Sequence, residues 1–239
     1  MAYPLFLTVK KVPAPEEIPD LRGTLEMAFP HKENAAYLDD LCKSPLPRVT
    51  AQRLGALSLL PSLLEAAGID PASLILHRDE HGRPYCQTAD GDLPFCRSTG
   101  CHTPVDFNLS HTDTHVAAAL LIGEGRVGVD IEEPIPPTRA LPLINRYCTE
   151  GELDMMGTPP DEAAAADFFT RVWVIREAIA KQNGGGQPLG YDASRVPDDV
   201  LAWNGYLPDT GTAVALCAPK KDAPTQPSLT ANSLRFTMQ

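Results

Sequence analysis

The sequence predicts an α+β fold built from two similar α/β subdomains. Both halves mix segments of helical periodicity with paired apolar runs of strand length. A glycine-flanked break, "GEG" at 123–125, separates two such runs near the middle of the chain. No close internal repeat is visible, and strands and helices do not alternate as a single doubly wound sheet requires. The boundary falls at residue 125. An N-terminal α+β subdomain covers 1–125, and a C-terminal one covers 126–239 and ends in a short extension. At 239 residues and 43% apolar side chains, the chain is long enough to bury a core.

In chain order, "YPLFLTV" (3–9) reads as an opening strand and "PAPEEIPD" (13–20) as a proline-rich loop. Residues 48–68 carry leucines and alanines at helical spacing, stop at Gly68, and are divided by Pro61. "SLILHRDEHGRPYC" (73–86) reads as two extended pieces around a charged turn at 79–82. "VDFNLSHTDTHVAAALLI" (105–122) gives a short strand, a polar turn and a stronger strand. The runs 116–122 and 127–131 are expected to form a hairpin across the central glycines. "RALPLINRYCTEGELDMM" (139–156) is helical in part. The alanine-rich segment from Pro159 to the three glycines at 184–186 is one long helix. Beyond it, "DVLAWNGYLP" and "TAVALCAP" are two strands able to complete a second sheet, and residues 219–228 read as a solvated linker.

Composition narrows the function. Acidic residues outnumber basic ones by 31 to 20, for a formal charge of −11, which does not supply the cationic field of a general nucleic-acid binder. Six cysteines show no regular framework. Cys96, Cys101 and His102 make half a zinc site with no second pair, so reduced thiols are expected. No signal sequence or membrane-length apolar run is found, and the chain reads as cytoplasmic.

The chemistry concentrates in "RVGVDIEE" (126–133). On an extended strand, Val127, Val129 and Ile131 face a core while Gly128, Asp130 and Glu132 face the other way, with Gly128 leaving space beside the acids. Two neighbouring carboxylates on one face repel, and a hard divalent cation that also takes phosphate oxygens relieves the repulsion. Spacing alone equally fits a solvated edge strand. On the long helix Phe168, Val172, Ile175 and Ile179 form the apolar stripe, while Trp173, Glu177 and Lys181 stack on a neighbouring face. That stack is also consistent with ordinary core plus a helix ion pair. Ser110 and His111 lie where a strand breaks into a turn, a place suited to presenting donors to a phosphate. There is no G-x-S-x-G elbow for serine hydrolysis, and "GEGRVG" lacks the spacing of a dinucleotide fingerprint.

The ordered set "HGRPY" (81–85), "FNLSHT" (107–112), "VGVDIE" (127–132) and "WVIREAIAK" (173–181) resembles the 4′-phosphopantetheinyl transferases, specifically the larger single-chain, surfactin-synthetase-activating type. The family signature is a G-x-D-x-E strand followed by W-x-x-K-E-A-x-x-K. The resemblance implies two α+β subdomains in a pseudo-twofold arrangement, with coenzyme A in the cleft between them. It implies transfer of the phosphopantetheine arm to a serine of an apo acyl or peptidyl carrier protein, with adenosine 3′,5′-bisphosphate released. Asp130, Glu132 and Glu177 would hold Mg²⁺, with Mn²⁺ as the alternative. Asp130, Glu177 and Lys181 would be catalytic, with Glu177 as proton acceptor.

For coenzyme A the resemblance implies Arg83, Pro84, Ser110, His111, Arg176 and Lys181. Arg48 and Arg53, with Lys32 and Lys43, are candidates for its 3′-phosphate or for the carrier. Arg176 and Arg83 stand where the family has, or often has, lysine; both keep the charge but replace an ammonium with a planar fork. No nucleic-acid or membrane partner is expected, and an internally duplicated cleft would let a monomer act. The same acids also fit a relative that binds without transferring, or a Mg²⁺-dependent phosphohydrolase.

Overall fold

The computed structural model describes residues 4–184, 187–221, 228–229 and 235–238. The chain opens with β1 (Leu5–Lys11), two residues further along than the sequence suggested, followed by α1 (Ile18–Ala28) and α2 (Glu33–Leu41). The leucine-rich segment becomes α3 (Pro47–Leu57) and α4 (Leu60–Ala66), with Pro61 in the first turn of α4, where its missing N–H costs nothing. Two short hairpins follow, β2 (Leu74–Arg78) with β3 (Pro84–Thr88), and β4 (Phe95–Cys96) with β5 (Cys101–His102). Then come β6 (Val105–His111), β7 (His115–Ile122), β8 (Gly128–Glu132), α5 (Pro137–Tyr147), α6 (Glu150–Met156) and α7 (Glu162–Asn183). The described chain finishes with β9 (Val200–Tyr206), β10 (Ala213–Pro219), β11 (Ser228–Leu229) and β12 (Arg235–Met238).

Two four-stranded sheets result, ordered β11-β1-β7-β6 and β12-β9-β10-β8. The central hairpin expected from "GEG" does not form. β7 pairs with β1 and β6, whereas β8 pairs with β10, so the segment 123–125 carries the chain from one sheet to the other. Gly123 and Gly125 adopt φ of 127° and 99°, which a side chain would strain. The chain's tail returns to add β11 beside β1 in the first sheet, while residues 222–227 of the expected linker lie outside the described residues.

The layers explain why β7 is apolar at every position after His115. Val116, Ala118, Leu120 and Ile122 face the helices α1–α4, where Leu25, Phe29, Leu54, Leu57 and Leu60 bury fully or nearly so. Ala117, Ala119 and Leu121 face the second sheet and meet Val129, Ile131, Val214 and Leu216. A strand buried on both faces loses the alternation of a half-exposed one. The second sheet's outer face is covered by α7 through Ile175, Ala178 and Ile179 against Ala202, Ala213 and Ala215. Helix α7 begins at an Asp161 cap, whose Oδ1 accepts the Ala164 N–H at 2.8 Å, and ends at Gly184 in the left-handed region. All six cysteines are free thiols. Among the described residues, no helix is long and apolar enough to cross a membrane.

Candidate active site

The site forms where the edge strands of the two sheets meet. On β6, alternate residues point at β8 and accept its alternate backbone amides. Asp106 Oδ2 takes Val127 N–H at 2.7 Å, Asn108 Oδ1 takes Val129 N–H at 3.0 Å, and Ser110 Oγ takes Ile131 N–H at 3.4 Å. This side-chain ladder satisfies amides that would otherwise face an unpaired edge. It also fixes the register that brings Ser110 to Asp130.

Helix α7 closes on β8 from the other side at Gly128. A Cβ there would stand 2.0 Å from the Ala178 carbonyl oxygen and 2.6 Å from Gln182 N. The space beside the acids is therefore filled by the helix backbone, a correction to the reading of Gly128 as an opening beside them. That close approach brings Glu177 and Lys181 to Asp130.

Asp130 is 4% exposed. Its Oδ1 accepts from Lys181 Nζ at 2.6 Å and from Ser110 Oγ at 2.8 Å, and Lys181 Nζ lies 3.2 Å from the same hydroxyl. Its Oδ2 is buried with no hydrogen-bond partner. An unsatisfied buried oxygen costs about 1–3 kcal/mol, more when charged, so this atom is positioned for something that binds it. Burial raises Glu132 to about 7, and the neighbouring Asp130 and Glu177 charges push the same way; Lys181 and Trp173 pull it down. Burial, then the Asp130 charge, raises Glu177 as well. Three mutually repelling carboxylates suit a hard cation, although among the described residues no three Asp, Glu, His or Cys side chains stand as a ready-formed metal site.

His111 leads from this cluster into a cleft of about 460 Å³ lined by Tyr37, Asp40, Arg53, Arg78, Pro84 and His111, with Asp40 3.8 Å from Arg78. Burial, then the charges of Lys181 and Arg53, holds the His111 imidazole below its usual range, so it is neutral near pH 7. Arg78 lies over the Tyr37 ring at 5.0 Å. Arg48 instead pairs with Asp113 at 2.6 Å on the surface, and Lys43 with Asp40 at 3.1 Å. A second, mostly apolar cavity of about 250 Å³ opens at Glu132 between Leu143, Tyr147, Phe169 and Trp173.

The structure thus brings together Ser110, His111, Asp130, Glu132, Glu177 and Lys181, with Arg53 and Pro84 in the adjoining cleft. Besides Arg48, two of the expected coenzyme A contacts point elsewhere. Arg176 is 1% exposed and donates from Nε to Glu152 Oε1 at 2.7 Å, from Nη2 to Glu152 Oε2, and from Nη1 to the Tyr147 carbonyl at 2.8 Å. One residue before Glu177, it points to another side of the helix, and its charge is consumed by a fully buried glutamate. Arg83 donates to Asp106 and to three backbone carbonyls across the sheet junction. Sequence reasoning missed Glu152, Asp106 and Asn108. Asp106 and Asn108 show only polarity among apolar residues, and their partners lie more than twenty residues away; Glu152 closes a capping box with Thr149, three residues back, but nothing local points to Arg176.

Residues 126–206 match the family model described as the 4′-phosphopantetheinyl transferase superfamily. The chain is similar to a 4′-phosphopantetheinyl transferase of Bacillus subtilis, 28% identical over 149 residues, which are 61% of this chain and 58% of that protein. A putative 4′-phosphopantetheinyl transferase of Haemophilus influenzae is 29% identical over 180 residues, 74% of this chain and 68% of that protein. The 4′-phosphopantetheinyl transferase AcpT of Salmonella typhi is 43% identical over 84 residues, 35% of this chain and 42% of that protein. The chain spans 58% of the length of the first of these relatives and 56% of that of a 4′-phosphopantetheinyl transferase from Paxillus involutus. The segment that matches the 4′-phosphopantetheinyl transferase superfamily model contains Asp130, Glu132, Glu177 and Lys181.

Proposed function

We propose that this protein transfers the 4′-phosphopantetheine group of coenzyme A to a serine hydroxyl of an apo acyl or peptidyl carrier protein. The observation that carries the proposal is the convergence of Ser110 from one sheet, Asp130 and Glu132 from the other, and Glu177 and Lys181 from α7, next to a cleft that Arg53 and Arg78 line. In this reading the two sheet-and-helix units are the pseudo-twofold-related subdomains of the larger single-chain type, and coenzyme A lies between them. Arg53, Arg78 and His111 face its phosphates, with Pro84 and Tyr37 against the nucleotide.

The residues fit a divalent cation, because Asp130 Oδ2 is buried without a partner and Glu132 is raised to about 7 by burial among acids. Asp130, Glu132 and Glu177 would hold Mg²⁺, or Mn²⁺, which supplies positive charge to the diphosphate oxygens. Glu177, raised by burial and by Asp130, takes the proton of the incoming serine. The serine oxygen then bonds to the phosphorus that carries pantetheine, and the bond from that phosphorus to the bridging oxygen breaks. Adenosine 3′,5′-bisphosphate leaves with the electron pair. Lys181 stabilises the charge that grows on the phosphoryl oxygens.

The carrier would approach over α5, which carries Arg139 and Arg146 and no acid in a chain of net charge −11, and which exposes Leu141. The test is release of adenosine 3′,5′-bisphosphate from coenzyme A, followed by chromatography with and without apo carrier. Carrier-dependent release supports transfer. Equal release without carrier makes the protein a hydrolase.

A further inference from the structure

We infer that Arg83 is a positioning residue that sets the distance between β8 and α7, and thereby the relative placement of Asp130, Glu132, Glu177 and Lys181. The inference rests on the transferase reading of this site but assigns Arg83 a part other than contact with the nucleotide. Its guanidinium reaches the last turn of α7 and the residue leading into β8 at once. Nη1 donates to the Lys181 carbonyl at 2.6 Å, and Nη2 to the Val127 carbonyl at 2.7 Å, to Asp106 Oδ2 at 2.5 Å and to the Phe107 carbonyl at 3.4 Å. The side chain is 10% exposed and its Nε is buried.

Each contact bears on a residue of the site. The Lys181 carbonyl is among the last four of α7, which have no donor inside the helix. Arg83 caps it from another element and sets positive charge against the negative end of the helix. Val127 directly precedes the strand that presents Asp130. Its N–H is held by Asp106 and its C=O by Arg83, so both of its backbone polar groups are tied to one ion pair. Asp106 is pushed up by its own burial and is drawn down by Arg83 and the Val127 N–H, so the two side chains depend on each other.

At the opposite end of the β6–β8 ladder stands the Ser110, Asp130 and Lys181 group. Arg83 therefore grips the backbone of the residue whose ammonium closes the other end. The stem is fixed in turn, since the Arg83 N–H donates to Asp79 Oδ1 at 2.9 Å and the Arg83 carbonyl accepts from Asp79 N–H at 2.9 Å. A lysine ammonium is a point donor and lacks the fixed fork that here holds the strand, the helix and Asp106 at once.

The test compares wild type with Arg83→Met, Arg83→Lys and Asp106→Asn, each checked for folding by circular dichroism. Mn²⁺ affinity is measured by the paramagnetic resonance of free Mn²⁺, and kcat and KM for coenzyme A by carrier transfer. Arg83→Met is expected to weaken Mn²⁺ binding and to lower kcat by about tenfold or more, with KM for coenzyme A within about twofold. Arg83→Lys should recover little of this, and Asp106→Asn should shift the same quantities in the same direction. Should Arg83→Met fail to fold, the other two variants carry the comparison. A KM for coenzyme A raised about tenfold with kcat and Mn²⁺ binding unchanged would make Arg83 a nucleotide contact and overturn the inference. Unchanged values throughout would also overturn it. Wild-type protein that binds Mn²⁺ but transfers nothing would contradict the transferase reading alone, and the Mn²⁺ comparison would still decide the part of Arg83.

Discussion

Asp130 bonds through one oxygen and leaves the other buried and unmatched. Removing its carboxylate should therefore harm function far more than folding. Asp130→Ala is expected to lower transfer by about a hundredfold or more while the protein still folds, since the ion pair with Lys181 is lost together with the repulsion from Glu132 and Glu177. Glu132 adds a pH signature. Its carboxyl titrates near 7 in the folded protein and lower in the unfolded chain, so the folded state holds the extra proton. Stability of the metal-free protein should fall as pH rises from the ordinary carboxylate range through about 7. Mg²⁺ opposes that repulsion, so it should raise the melting temperature more at about pH 8 than at about pH 6. An equal shift at both, followed by scanning calorimetry, would count against Glu132 as a metal ligand. Arg176 behaves oppositely to Asp130. Arg176→Met strands the buried Glu152 and should cost about 3–5 kcal/mol in a denaturant melt, without a selective rise in KM for coenzyme A.

Among elements, α7 and β8 depend on one another through Gly128. A methyl group there meets the backbone of Ala178 and Gln182, which cannot swing aside as a side-chain tip can. Gly128→Ala should force the helix away, separating Glu177 and Lys181 from Asp130. Lost transfer and weakened Mn²⁺ binding are expected even where circular dichroism shows the protein folded. Retained activity would mean that the helix shifts without changing the site. At the end of α7, Gly184 has φ of 81°, and Gly184→Ala should cost about 1 kcal/mol with little effect on the reaction.

Across the whole molecule, what could be read from the sequence was what repeats at short range. The two faces of 127–132, the long helix with Trp173, Glu177 and Lys181 in line, and the strands at 200–219 follow from periods of two and 3.6 residues. The hairpin expected at 116–131 did not form, because neighbouring apolar runs suit pairing within one sheet and crossing between two equally well. Only the alanines 117 and 119, small enough to let the second sheet approach, hint at the difference. The fates of Arg83 and Arg176 were hidden for another reason. A cation's role depends on which oxygens surround it, and these lie at Asp106, Glu152 and Lys181, far along the chain.

The intact mass of apo acyl and peptidyl carrier proteins tests transfer most directly. The carriers are incubated with coenzyme A, Mg²⁺ and either this protein or its Asp130→Ala variant. A gain of one phosphopantetheine group is expected with the wild type, abolished by chelator and by the variant. Carriers of unchanged mass across a broad panel, with coenzyme A still bound by the protein, would contradict the proposed transfer.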